Sequence, residues 1–220
     1  MKKESIKAVL FDLDGTLLYT LEDIKASVNV PLVNRGLSKI TIEECREIVG
    51  NGLRNAVKNS LIKKGYNPLS EDEIDRALLE LKTYYKENPT KYCTPYDGIN
   101  EMLANLKLPF GLLSNKDDKI VKQIVPIVFK DIHFDFVCGS KNGILKPKKD
   151  RVIDFCNQLN IEPCNVLYVG DSEVDYKTAV NANAQVLLVT WGYRDKEELL
   201  KFNVPTVDTV DELWRILDAN

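Results

Sequence analysis

Ile6-Lys7-Ala8-Val9-Leu10-Phe11 runs directly into Asp12-Leu13-Asp14-Gly15-Thr16, and the reading of this stretch decides the fold. Its first half is short, mostly apolar and does not alternate, the pattern of a strand buried on both faces. Its second half is a polar loop at the strand's end. Comparable apolar runs follow at Phe110-Gly111-Leu112-Leu113, Phe134-Asp135-Phe136-Val137, Val166-Leu167-Tyr168-Val169 and Val186-Leu187-Leu188-Val189. Amphipathic stretches at 97–107, 117–129, 148–160 and 173–183 lie between most of them. Strand and helix signals in alternation predict an α/β fold: a parallel sheet with helices on both faces. Pro205-Thr206-Val207 and a helix over 210–217 close the sheet's edge.

Residues 18–92 break this rhythm. Thr41-Ile42-Glu43-Glu44 reads as a helix start. So does Ser70-Glu71-Asp72-Glu73, where a Ser-x-x-Glu box precedes Ile74, Ala77, Leu78 and Leu81 at helical spacing. Pro31 predicts a kink or a gap between two helices. Asn88-Pro89 and Thr94-Pro95 end the segment. The expected organisation is a sheet domain formed by 1–17 and 93–220, interrupted after its first strand by an all-helical insert over 18–92.

The 220 residues are 44% hydrophobic and 29% charged, with 30 basic against 33 acidic side chains. That balance excludes disordered and collagen-like chains, and it lacks the basic excess of a general nucleic-acid binder. It leaves room for an anionic substrate held by a few placed cations. No run approaches the roughly 20 apolar residues of a membrane span, and the start lacks a signal peptide's long apolar region, so a cytoplasmic protein with no membrane partner is expected. Cys45, Cys93, Cys138, Cys156 and Cys164 form no CxxC pair and read as reduced packing residues; the single histidine, His133, has no ligand partners in sequence. Neither terminus points to an oligomeric state.

Chemistry is expected where polar residues follow strand ends, since open α/β sheets bind ligands there. Asp12, Asp14 and Thr16 follow the first strand, Ser114-Asn115-Lys116 the second, Lys146-Pro147 the third and Gly170-Asp171-Ser172 with Asp175 the fourth. Asp12 and Asp14 project the same way from extended backbone, and two close carboxylates need a proton or a cation between them. With Asp171 they make a hard oxygen site, which suits Mg²⁺ better than Zn²⁺. A cation, a lysine and two hydroxyls around a carboxylate describe phosphoryl transfer. Lys146 offsets repulsion between Asp12 and a phosphate dianion, and Asp12 can then attack phosphorus. Asp14 is placed to protonate the leaving oxygen and later take a proton from water. Thr16, Ser114 and backbone N–H groups around Gly15 can hold the phosphoryl oxygens.

In these motifs the chain resembles the haloacid dehalogenase superfamily of phosphohydrolases over essentially its whole length. Asp12-Leu13-Asp14-Gly15-Thr16 matches the first motif, Leu112-Leu113-Ser114-Asn115 the second, Lys146-Pro147 the third and Gly170-Asp171-Ser172-Glu173-Val174-Asp175 the fourth. The resemblance implies a Rossmann-like core with a mobile helical cap and a small phosphate ester as substrate. It makes Asp12 the nucleophile and Asp14 the acid/base. Mg²⁺ would be held by Asp12, the Asp14 backbone carbonyl and Asp171, with Asp175 supporting the Asp171 loop or orienting Lys146, and Ser172 beside it. Ser114, Asn115, Thr16 and Lys146 would bind phosphate. Within the superfamily the chain is most similar to phosphoglycolate phosphatase-like enzymes, through Ile48-Val49-Gly50-Asn51-Gly52-Leu53. Arg54 follows that loop and could meet a substrate carboxylate; Asn51 and Thr20 are further specificity candidates. Tyr19-Thr20 replaces the Asp-Ser of many relatives. Pyrophosphatase or nucleotidase activity, a β-phosphoglucomutase-like activity and an inactive binding or regulatory protein are the competing readings. Asp14-Gly15-Thr16 disfavours dehalogenation, and the full set of motif residues disfavours the inactive one.

Overall fold

In a computed structural model of the protein, Ala8–Phe11 forms strand β1 with all four side chains fully buried. The structure describes residues 5–49, 52–67, 69–141 and 148–219. Contacts divide the chain into two units, Met1–Tyr19 with Pro95–Asn220, and Thr20–Thr94. After β1 come β2 (Leu18–Tyr19), α1 (Leu21–Asn34), α2 (Ile42–Ile48), α3 (Leu53–Lys63), α4 (Glu71–Glu87) and β3 (Thr94–Pro95). Then follow α5 (Ile99–Asn105), β4 (Phe110–Asp117), α6 (Asp118–Val128), β5 (Phe136–Ser140), α7 (Lys148–Leu159), β6 (Val166–Gly170), α8 (Glu173–Asn181), β7 (Gln185–Val189), α9 (Lys196–Leu200), β8 (Thr206–Val207) and α10 (Val210–Asp218).

The first unit is built on one parallel sheet in the order β5-β4-β1-β6-β7-β8. Alternation along β1 splits its side chains between the two faces. Ala8 and Leu10 join Val152, Phe155 and Cys156 of α7 and Ala179 of α8 in a buried cluster. On the other face Phe11 meets the ring of Phe110 edge-on at 6.4 Å. Burial on both sides is why the strands read as continuous apolar runs. Cys45 and Cys156 are buried, and burial pushes the Cys156 thiol up to about 11.

Three local differences from the sequence reading have physical causes. α1 does not divide at Pro31: the missing N–H falls in its last turn, and the Pro31 carbonyl accepts a bond from Arg35 Nη1 at 2.9 Å. β5 starts at Phe136 rather than Phe134, because Asp135 is occupied with Phe110, giving its N–H to the Phe110 carbonyl and accepting the Phe110 N–H on its carboxylate. α9 has only five residues, too few to show a period.

The second unit is helical. Thr41 and Glu44 complete a reciprocal capping box at the start of α2. Ser70 caps α4 by accepting the Glu73 N–H, but the Glu73 carboxylate turns to Arg35 and Arg76 instead of closing a second box. Arg35, just past α1, binds Glu73 and Glu80 at 3.1 Å each and so ties α1 to α4. Ile24, Val28 and Leu32 of α1 and Ile74, Ala77, Leu81 and Tyr85 of α4 are buried. No helix among the described residues is long and apolar enough to cross a membrane.

Candidate functional site

From β1 the chain builds the sheet toward β5 and then crosses back to β6, so strand order reverses beside β1. Chains diverging from neighbouring strand ends open a crevice at that point. Phe11 lies opposite Leu112 on one side and Val169 on the other, and the Asp12 N–H donates to the Val169 carbonyl at 2.9 Å. Register alone therefore sets the loop after β1 against the loop after β6.

Carboxylate oxygens of Asp12, Asp171 and Asp175 come within 4.8 Å of one another, and all three residues are buried. Charged carboxylates this close repel strongly out of water, so the cluster calls for a cation or protons. Oxygen donors without histidine or cysteine fit Mg²⁺. The backbone around them is shaped to leave space. A Cβ on Gly15 would stand 2.2 Å from Asp171 Oδ2, and Gly15 holds φ at +89°, which glycine tolerates. The Thr16 hydroxyl is fully buried and has no hydrogen-bond partner among the described residues, a vacant position of the kind a phosphoryl oxygen can fill.

Asp175 enters the cluster through its own carboxylate, beyond the supporting role expected of it. Ser172 Oγ donates to Asp175 Oδ2 at 2.6 Å, and the buried Tyr168 hydroxyl donates to Oδ1 at 3.3 Å. Ser172 also caps α8 by accepting the Asp175 N–H. Asp14, by contrast, directs its carboxylate elsewhere: Lys116 Nζ lies 2.6 Å from Oδ1, and Ser114 Oγ donates to Oδ2 at 3.3 Å. The metal expectation for Asp14 concerned its backbone carbonyl, and its side chain stands outside the acidic cluster. Ser114 has one hydroxyl hydrogen and points it at Asp14, so contact with a phosphoryl oxygen requires the hydroxyl to turn.

Three groups in the site carry no role in the sequence reading. Lys116 is one: it stands among the strand-end candidates with no role assigned, although Ser114 and Lys116 share a face by spacing. Arg151 is the second. It is buried on α7, and it donates to the Ser114 carbonyl at 2.8 Å and to Asn115 Oδ1 at 3.3 Å. The third is the segment after β7. The Tyr193 N–H donates to Asp171 Oδ2 at 2.7 Å, and Trp191 Nε1 donates to the Thr16 carbonyl at 3.1 Å. Tyr19 packs edge-on against Tyr96 and Tyr193, each at 6.4 Å, and Tyr96 lies 6.4 Å from Trp191. A search for polar residues at strand ends passes over a Trp-Gly-Tyr turn.

Lys146 and Asn51 lie outside the described residues. Thr20 is buried at the start of the helical unit. Arg54 is half-buried on α3 and is engaged by acids of its own unit, Glu71 at 2.5 Å and Asp75. Any pairing with a substrate carboxylate has to displace those contacts.

The chain is similar to known proteins in sequence and in fold. A family model described as haloacid dehalogenase-like hydrolase matches residues 9–189. The N-acetylmuramic acid 6-phosphate phosphatase of Pseudomonas aeruginosa is 31% identical over 206 residues, spanning 90% of this chain and 88% of that one. The phosphoglycolate phosphatase of Aquifex aeolicus is 29% identical over 193 residues, 86% of each chain. Among solved structures, a protein from Lactobacillus delbrueckii subsp. bulgaricus assigned as a phosphoglycolate phosphatase superposes with a TM-score of 0.86 at 27% identity, covering 97% of this chain and 99% of that one.

Proposed function

The chain belongs to the haloacid dehalogenase-like hydrolases, and from that premise we propose that it is a Mg²⁺-dependent phosphatase acting on a small phosphate monoester through an aspartyl-phosphate on Asp12. The observation that carries the reading is the buried cluster of Asp12, Asp171 and Asp175 at the point where strand order reverses. Asp12, Asp171, Asp175 and the Asp14 carbonyl are the groups to hold Mg²⁺, which would neutralise acidic charge so that a phosphate dianion can approach.

An Asp12 oxygen attacks phosphorus while the ester P–O bond breaks, and Asp14 gives its proton to the leaving oxygen. Water then attacks the aspartyl-phosphate, its proton passes to Asp14, and inorganic phosphate leaves with Asp12 restored. Thr16, Ser114, Asn115 and Lys146 hold the phosphoryl oxygens and offset their charge. The helical unit Thr20–Thr94 serves as the cap that selects the substrate and excludes water.

The two curated relatives are named for phosphate esters that each carry a carboxylate, phosphoglycolate and N-acetylmuramic acid 6-phosphate. That supports a carboxylate-bearing monoester, with phosphoglycolate as the first choice. Phosphate release is to be measured from 2-phosphoglycolate, N-acetylmuramic acid 6-phosphate, sugar phosphates, nucleotides and diphosphate, in Mg²⁺ and in EDTA. The expected result is turnover that EDTA stops and Asp12→Asn removes. Near-wild-type turnover by Asp12→Asn would refute the nucleophile, and turnover in EDTA would refute the metal.

A further inference from the structure

We propose that Lys116 is a positioning residue for proton transfer: it acts through Asp14, aiming its carboxyl group and stabilising the carboxylate that remains once the proton has left. The inference rests on the reading of Asp14 as acid/base given above. Lys116 Nζ is 2.6 Å from Asp14 Oδ1, and the lysine side chain is only 2% exposed against 20% for Asp14. The same strand grips the other oxygen. Ser114 Oγ donates to Asp14 Oδ2 at 3.3 Å, and the Lys116 backbone N–H donates to that Ser114 Oγ at 3.0 Å. Both carboxylate oxygens are therefore held by residues two apart on one stretch of backbone.

That stretch is where β4 leaves its regular register with β5, between Leu113 and Asp117. The irregularity lets Ser114 and Lys116 serve the site instead of the sheet. Arg151 anchors it from behind through the Ser114 carbonyl. A lysine head group removed from water interacts far more strongly with a neighbouring charge than an exposed one does. A surface-type ion pair is thus a poor description of this contact.

In the first half-reaction the ester P–O bond breaks, the leaving oxygen takes the proton from Asp14, and Asp14 becomes a carboxylate facing the Lys116 ammonium. The Lys116 ammonium, 2.6 Å from Asp14 Oδ1, meets that charge as it forms. The benefit must grow as the leaving group becomes more basic, because a good leaving group departs without a proton.

The test uses kcat/KM for aryl phosphates graded from p-nitrophenyl to phenyl, since kcat/KM reports the steps up to departure of the alcohol. Lys116→Met and Lys116→Gln are compared with Lys116→Arg, Asp14→Asn and the Lys116→Met/Asp14→Asn pair. General acid catalysis contributes about 10²- to 10⁴-fold, so phenyl phosphate should lose at least about tenfold more than p-nitrophenyl phosphate when the lysine charge is removed. Lys116→Arg should recover part of that difference, and Lys116→Met should add none in the Asp14→Asn background. The ratio of two substrates on one preparation does not depend on how much protein is folded. Equal losses across the series, or a difference that persists undiminished with Asn at position 14, would overturn the proposal. Asp12→Asn run alongside separates the two ideas: if it still turns over aryl phosphates, the underlying phosphatase reading fails rather than the role of Lys116.

Discussion

Gly192→Ala is the most direct probe of how the site is assembled, because nothing in the chemistry of phosphoryl transfer requires residue 192. A Cβ at this position would stand 2.3 Å from both Cβ and Oδ2 of Asp171 and 2.6 Å from the Gly15 carbonyl oxygen. The Oδ2 contact alone could be relieved by rotating the carboxylate. The contacts with the root of the Asp171 side chain and with the backbone of the first loop cannot. Ordinary carbon contacts lie at about 3.5–4.0 Å, so Asp171 must retreat by about 1 Å. Overpacking of this size costs about 1–3 kcal/mol. In a chain of this length each kcal/mol lowers Tm by about 2–4 °C, so a fall of about 2–12 °C is expected. A misplacement of about 1 Å can cost about 10²-fold in rate. The assay is phosphate release from p-nitrophenyl phosphate across a Mg²⁺ titration, beside a thermal melt. The expected outcome is a loss of about 10²-fold in kcat/KM with a higher half-saturating Mg²⁺ concentration. Gly36→Ala is the control: its φ of +69° strains an alanine, but nothing lies within 4 Å, so Tm should fall with no change in Mg²⁺ response. If Gly192→Ala kept wild-type kcat/KM and Mg²⁺ response, the close packing of the Gly192 turn on Asp171 would have no part in the site.

Two stability experiments address the rest of the molecule. Arg35→Met leaves Glu73 and Glu80 without their shared cation and should lower the urea midpoint of the helical unit; an unchanged midpoint would make the contact incidental. Asp118 is held below the usual carboxylate range: burial opposes this, but the Lys122 ammonium and the Gly139 N–H outweigh it. A depressed folded value means its contribution is complete above the ordinary aspartate pKa of about 3.9 and disappears as pH falls through the lower folded value. Asp118→Asn should therefore differ from wild type in urea midpoint at pH 7 and converge with it below about pH 4; a constant difference across that range would contradict the assignment.

The sheet was legible because its central strands β1 and β6 are buried on both faces, leaving apolar runs such as Val166–Val169 that no amphipathic helix produces. The loops after β1 and β6 stood out because acidic residues recur at several strand ends, and the structure brings Asp12 and Asp171 of those loops together. What the sequence hid was partnership across strands. Lys116 looks like any surface lysine until the register change in β4 turns it inward toward Asp14. Arg151 sits in a lysine-rich stretch whose charge suggests solvent, yet its guanidinium is buried against the second motif. Arg54 shows the reverse: a lone arginine after a glycine loop suggests a ligand, and its neighbours on α4, a turn apart from each other, already occupy it. Pro31 misleads because a proline's penalty depends on how many turns follow it, which sequence alone does not state.

The indole of Trp191 touches the backbone of the loop after β1 through its bond to the Thr16 carbonyl, and the only other tryptophan, Trp214, lies on α10. Replacing Trp214 with phenylalanine would leave a single intrinsic fluorophore wired to that loop. Its emission colour and lifetime could then follow, in stopped flow and without any attached dye, how the loop responds as an ester arrives and inorganic phosphate departs.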